Sequence, residues 1–230
     1  MKNSGQTVRL VAAAPDVEDP NFKKSVVVVI ENDHEGSFGF VVNKLSSRTD
    51  SELFESEVLK EVSAYVGGPV DQNRLFLMVP SELLKMFGVD ELLYKDDILN
   101  FNSDIRVVSD EMLIEEMMKK YRKASPFERL SIGDKLIPPD QFFAGQQRQI
   151  EGASHIQGPG QNPFKLLNGY SGWDLGQLEE EIHDGMWLEV PMDAGLVFSP
   201  AAHVMWKEAL ARIGLKNIEA YQVPATEWLN

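Results

Sequence analysis

The sequence predicts an α+β fold. Three observations predict it: the continuous β-branched run Val26 to Ile30, the amphipathic helical stretches around Met117 and Met205, and the lack of any regular strand–helix–strand alternation. A run such as VVVVI suits a strand buried on both faces, whereas regular alternation would have indicated a doubly wound parallel sheet. The 230 residues suffice for one sizeable core or two small ones. We read a single domain over residues 1–230, with an irregular insertion at about 124–163.

In chain order, Leu10 to Ala14 is a short apolar stretch between Arg9 and Pro15, too short for a secretory signal. Lys24 to Ile30 predicts a strand, Glu31 to Ser37 a polar turn, and Phe38 to Val42 a second strand containing Gly39. Together they predict a hairpin with a longish loop. Ser51 to Tyr65 has helical periodicity, with Leu53, Phe54, Val58, Leu59 and Val62 on one side and Asp50 or Ser51 as N-cap. The sequence Val66-Gly67-Gly68-Pro69-Val70 breaks it sharply. Leu75 to Val79 is a short strand, Ser81 to Phe87 a short helix ended by Gly88, and Ile105 to Val108 another strand. Ser109 is the expected cap of a helix whose Leu113, Ile114, Met117, Met118 and Tyr121 form one apolar face. Methionines at that spacing are core packing.

From Ala124 to Pro163 the character changes, with five of the twelve prolines and the strings QQRQ and QGPGQNP. A long irregular excursion is the expectation, with a short anchored turn at Gln141 to Phe143. Beyond it, Met186 to Val190 and Leu196 to Phe198 have strand character. Ser199-Pro200 opens a helix with Val204, Met205, Ala209, Leu210 and Ile213 inward and Gly214 just past its end. Ile218 to Val223 is the candidate closing strand.

Composition excludes several function classes. With no cysteine, disulfides, thiolate catalysis and cysteine-ligated metals are ruled out, and a reducing, cytoplasmic location is the expectation. No apolar run approaches the ~18–20 residues of a membrane span. A formal net charge of −14 opposes general nucleic-acid binding and would be repelled by anionic lipid. The basic group Lys119, Lys120, Arg122, Lys123 and Arg129 reads as the solvated end of a helix. None of His34, His155, His183 and His203 has metal-ligand spacing. Glu31, Asp33 and Glu35 form an acidic solvated turn, with an all-carboxylate Mg²⁺ or Ca²⁺ site as the open alternative. There is no dinucleotide fingerprint, P-loop, nucleophile elbow or kinase signature, so no cofactor is expected.

The most informative string is GYSGWDLGQLEEE, Gly169 to Glu181. Asp174 and Gln177 have the spacing of a capping box, Leu175, Leu178 and Ile182 would share one helical face, and Gly185 sits where a C-terminal glycine belongs. Gly169, Gly172 and Gly176 would permit a tight strand-to-helix entry with Trp173 in the core. By helical geometry Glu180 and Glu181 point away from the apolar stripe, while Glu179 lies at its margin, half-buried beside Tyr170 or Trp173.

Taken together these pieces resemble the YqgE/AlgH family of bacterial proteins. The likeness is carried by LVAAAPDVEDPNFKKSVVVVIENDHEGSFGFVVNK (Leu10 to Lys44), GGPV (Gly67 to Val70), Arg74-x-Phe76, GYSGWDLGQLEEEI, Trp187, Val197-Phe198, and the helix bearing Trp206, Ala209, Leu210 and Gly214. Ser171 stands where the family usually has alanine. The 124–163 stretch is longer than the family's usual connection, and the hairpin histidine is displaced to His34. The resemblance implies a compact α+β domain with a coiled, mostly antiparallel, partly bifurcated sheet flanked by helices. It implies no activity. Some members bear the label of transcriptional regulator, which the acidity and the lack of a helix-turn-helix pattern speak against.

The sequence therefore favours a non-enzymatic binding or regulatory protein with an unidentified protein or small-molecule partner. Its candidate groove comprises Asn43, Gly67, Gly68, Pro69, Arg74, Tyr170, Trp173, Gln177 and Glu179. One alternative is a hydrolase-like enzyme using Glu179 as acid/base with Arg74 or Asn43. The other is a nucleic-acid-linked transcriptional regulator.

Overall fold

The computed structural model describes residues 6–32, 36–46, 56, 59, 62–123, 163–199 and 202–216. Strands β1 (Gln6–Ala13), β2 (Val26–Asn32) and β3 (Gly36–Val41) form an antiparallel meander. The β-branched run lies at its centre. Val26, Val28 and Ile30 pack on one face with Leu10, Ala12 and Phe40. Val27 and Val29 pack on the other with Val11, Ala13 and Val41. Strand side chains alternate between faces, so a run apolar at every position must be covered twice, and Val26 to Ile30 is.

The remaining strands are β4 (Ala64–Val66), β5 (Val70–Pro80), β6 (Ile98–Asn100), β7 (Ile105–Val108), β8 (Lys165–Trp173) and β9 (Trp187–Val190). The curled sheet runs in the order β6-β7-β5-β8-β3-β2-β1-β9, with β4 pairing β8 off that path. Among the described pairs only β4–β8 is parallel. The sheet divides along β8. Lys165 to Tyr170 register against β5, and Ser171 to Trp173 against β3.

Two helices cover the β5 half. Helix α1 (Ser81–Met86) and helix α2 (Glu111–Lys123) pack Leu83, Leu84, Leu113, Ile114, Met117, Met118 and Tyr121 on Leu75, Leu77 and Val79. Each such side chain contributes roughly 1.5–3 kcal/mol relative to leaving it in water. On the β1–β3 half, α3 (Gln177–His183) seats Leu178 against Trp173 and Trp187. The opposite face carries α4 (Ala194–Val197) and α5 (Ala202–Arg212). There the buried Trp206 indole N–H donates to the Ala13 carbonyl at 2.7 Å.

Several expectations are corrected. Leu10 to Ala13 of the short apolar stretch belong to β1, which its alanines conceal because they carry little strand preference. Tyr65 lies in β4, not at a helix end; the rest of the helix expected from Ser51 falls largely outside the described residues. The three-residue β6 was too short to show. Leu196 to Phe198 is not a strand, because Asp193 Oδ1 accepts from the Gly195 N–H at 2.7 Å and nucleates α4. Asp110, not Ser109, caps α2, accepting from the Leu113 N–H at 2.7 Å; the Ser109 hydroxyl instead donates to the Asp97 carbonyl. Gly169 and Gly172 lie inside β8 rather than in a turn. The insertion, but for Pro163, lies outside the described residues, as do the acidic turn's Asp33, His34 and Glu35 and the candidate strand Ile218 to Val223.

Candidate functional site

The two glycine motifs meet where the sheet divides. The Gly67 N–H donates to the Asn168 carbonyl, and the Gly67 carbonyl accepts from the Val41 N–H, both at 2.8 Å. Gly67 and Gly68 are buried. A Cβ on Gly68 would fall into the Tyr170 carbonyl and the Ser171 hydroxyl. The segment therefore threads between β3 and β8 with no room for a side chain. Gly169 has φ +67°, a left-handed conformation that displaces the pleat of β8 at this point.

Beside this junction β5 bulges. Its register passes from Val70 opposite Tyr170 to Leu75 opposite Asn168, so Asp71, Gln72, Asn73 and Arg74 loop into solvent. The Arg74 guanidinium sits 5.1 Å over the Phe76 ring. Phe76 contacts the half-buried Tyr170 edge-on at 6.2 Å and Phe40 at 4.9 Å. Among the described residues Arg74 makes no ion pair. Pro69 and Val70 are exposed at the rim. The structure thus brings together Gly67, Gly68, Pro69, Arg74 and Tyr170.

The other candidates lie elsewhere. Asn43 fastens the start of β2: its Oδ1 accepts from the Val26 N–H at 2.8 Å and its Nδ2 donates to the Lys24 carbonyl at 2.9 Å. Its neighbour Lys44 donates to the carbonyls of Pro20 and Asn21, and burial lowers its pKa, offset in part by Asp19. Trp173 and Gln177 belong to the face opposite Tyr170, around α3. Gln177 does close half of a capping box, since its Oε1 accepts from the Asp174 N–H at 2.9 Å. The Asp174 side chain makes no cap bond, and Gly176 with φ +81° stands at the N-cap. Leu175 is 66% exposed rather than inward.

The expectation for the glutamates is reversed. The Glu179 side chain is 51% exposed and lies 3.6 Å from Arg9, which also approaches Glu189 at 3.5 Å. It is not the half-buried carboxylate. Glu181 holds that place instead. Its Oε2 accepts from the indole N–H groups of Trp173 and Trp187, at 2.9 and 2.7 Å, and its Oε1 from Gln177 Nε2 at 2.7 Å. Because α3 begins only after Gly176, its helical phase differs from one counted from Leu175. The i,i+4 spacing from Gln177 is the one sequence signal that could have found Glu181.

Sequence reasoning also missed Lys165. It is 2% exposed, with Nζ 4.0 Å over the Tyr65 ring. Burial lowers the Lys165 amine to about 7 and raises the Tyr65 phenol to about 12. Neither lies in a motif whose spacing announces it. Among the described residues no cluster of three potential metal ligands occurs, and no helix is long and apolar enough to cross a membrane.

The AlgH-like family model matches residues 10–133 and 133–217. A UPF0301 protein from Idiomarina loihiensis is 25% identical over 213 residues, covering 89% of each chain. One from Chlamydia trachomatis is 27% identical over 224 residues, covering 96% of this chain and 93% of its own. Among solved structures, the AlgH protein of Pseudomonas aeruginosa shares the fold, with a TM-score of 0.57, 21% identity and coverage of 95% and 93%. A protein from Corynebacterium diphtheriae does so with a TM-score of 0.55, 20% identity and coverage of 93% and 90%.

Proposed function

The chain belongs to the AlgH-like family, and from that premise we propose a non-enzymatic binding or regulatory protein of the cytoplasm that recognises an anionic group at the Arg74–Tyr170 rim. One observation carries the reading. In a chain of net charge −14, Arg74 lies on an aromatic ring with no carboxylate paired to it among the described residues. Arg9, Arg106 and Arg212 by contrast each pair with a carboxylate. A guanidinium lying over Phe76 without a carboxylate partner is free to make bidentate contact with a carboxylate or phosphate. The Tyr170 hydroxyl would add a donor, and the glycine junction gives the rim a fixed backbone.

A thermal-shift screen against small carboxylates and phosphate esters tests this reading. A stabilising shift in the wild type that disappears in Arg74→Ala supports it, whereas a shift retained in the variant, or none across the panel, removes it.

A further inference from the structure

One strand glycine is free of the constraints that fix the others. The described strands hold Gly36, Gly39, Gly169 and Gly172. Gly36 and Gly169 have left-handed φ angles, and a Cβ on Gly39 would fall 2.6 Å from the Val28 carbonyl oxygen. Gly172 has neither a positive φ nor a crowding neighbour. It is exposed, and the nearest atom to a Cβ there is Tyr170 Cε2, at an ordinary 3.9 Å. A glycine inside a strand weakens it. Where no bulge or bend accounts for it, it marks a place where a ligand approaches the backbone closely.

The register here is unbroken, with Ser37 opposite Trp173, Phe38 opposite Gly172 and Gly39 opposite Ser171. Cross-strand partners share a face of the sheet, as do residues two apart on one strand. The bare glycine therefore lies between Phe38 and Tyr170, both half-buried. Phe38 does not fold over it. Its ring sits edge-on to Phe40 at 6.3 Å and to Phe101 at 6.1 Å, and comes no nearer than 4 Å to the Cβ position. From Tyr170 the aromatic row continues to Phe76 at 6.2 Å, and Phe76 carries the Arg74 guanidinium. A backbone floor walled by two aromatics thus leads, across one side chain, to a cation without a carboxylate partner among the described residues.

We propose that Gly172 is the ring subsite of the Arg74 site, and that the ligand is a small aromatic acid. Its ring lies on the Gly172 backbone between Phe38 and Tyr170, and its anionic group meets Arg74. This rests on the anion reading above and narrows the ligand class. Ring edges and faces at Phe38 and Tyr170 suit a planar aromatic group, whereas a simple aliphatic anion would leave the slot in water. Because Phe76 and the Tyr170 ring separate the slot from the guanidinium, the acid carries a short linker between ring and charge. Asp71 shares the bulge with Arg74 but makes no ion pair with it, so the guanidinium stays open to the ligand.

Calorimetric titration of the full chain with 3-phenylpropionate, propionate and 3-phenylpropanol is the test. The aromatic acid is expected to bind about tenfold tighter than propionate. Gly172→Thr puts a strand-favouring side chain over the bare backbone. It should bring 3-phenylpropionate down to the affinity of propionate and leave propionate unchanged, while Arg74→Ala should abolish both. Position 172 is exposed and has no positive φ, so an unchanged or higher melting temperature establishes that the variant is folded. The comparison of the three ligands on the wild type stands without it. Equal binding of the two acids, both lost in Arg74→Ala, would overturn the ring subsite and leave the anion reading in place. Full-strength binding of 3-phenylpropionate to Gly172→Thr would overturn it as well. If the alcohol bound as tightly as the aromatic acid, Arg74 would have no part in the site, and if neither acid bound, both readings would fall.

Discussion

The indole N–H of Trp173 donates to the Glu181 carboxylate at 2.9 Å, joining the last residue of β8 to the middle of α3. The same oxygen accepts from Trp187 on β9 at 2.7 Å. One carboxylate thus satisfies two indoles that are 6% and 3% exposed and clamps a helix to two strands. Glu181→Ala would leave both donors buried and unpaired, at about 2–4 kcal/mol in total. Glu181→Gln keeps an acceptor oxygen and should lose less. Glu179→Ala, on an exposed pair, should stay within about 0.5 kcal/mol of wild type. Urea unfolding of the three variants checks the order; a larger loss for Glu179 than for Glu181 would contradict it.

Gly68→Ala should destabilise by about 3 kcal/mol or more, because its Cβ meets the Tyr170 carbonyl, a backbone atom with no side chain to swing aside. Gly88→Ala offers the contrast. Gly88 has φ +68° but open space around it, so only the left-handed backbone penalty of about 1–2 kcal/mol applies. Equal melting temperatures for the two variants would mean that the junction yields.

Much of this fold was legible because it rests on local patterns. The run Val26 to Ile30, the apolar face of α2, and Gly185 after α3 each encode their structure within a few neighbours. The family likeness added the coiled sheet. The candidate groove was less legible, because its members were grouped by motif, and neighbours in sequence on a strand face opposite ways. Tyr170 and Trp173 are three residues apart in β8 and pack into different cores. Glu181 and Lys165 acquire their settings only through tertiary contacts, with Trp187 and Tyr65.

Lys165 makes stability depend on pH in a defined window. Burial lowers its amine to about 7 in the folded chain, against 10.5 for an unperturbed lysine. Between those values the unfolded chain binds a proton that the folded chain does not, so stability rises with pH by roughly 1.4 kcal/mol per unit. Below about 7 both states are protonated and the burial penalty is constant. Above 10 the Tyr65 phenol, raised to about 12, ionises first in the unfolded state and opposes further gain. Lys165→Met should therefore flatten the profile between pH 7.5 and 9.5, a range inside that window, and raise stability at pH 7. Denaturant melts across the range measure it, and an unchanged slope in the variant would assign the dependence to other groups.

Arg74 separates binding from stability. Its contact with Phe76 is exposed, so Arg74→Ala should cost only about 0.5–1 kcal/mol. An anion held by a bidentate guanidinium would nonetheless lose most of its affinity. Arg74→Lys retains the charge but lacks the planar fork, and should bind more weakly than wild type and more tightly than the alanine variant. Tyr170→Phe tests the added donor, since it leaves the ring against Phe76 and removes only the hydroxyl. Titrating a carboxylate or phosphate ester selected by the thermal-shift screen into all four proteins gives the ranking. If lysine bound as tightly as arginine, point charge alone would govern the site and the planar fork would be incidental to recognition.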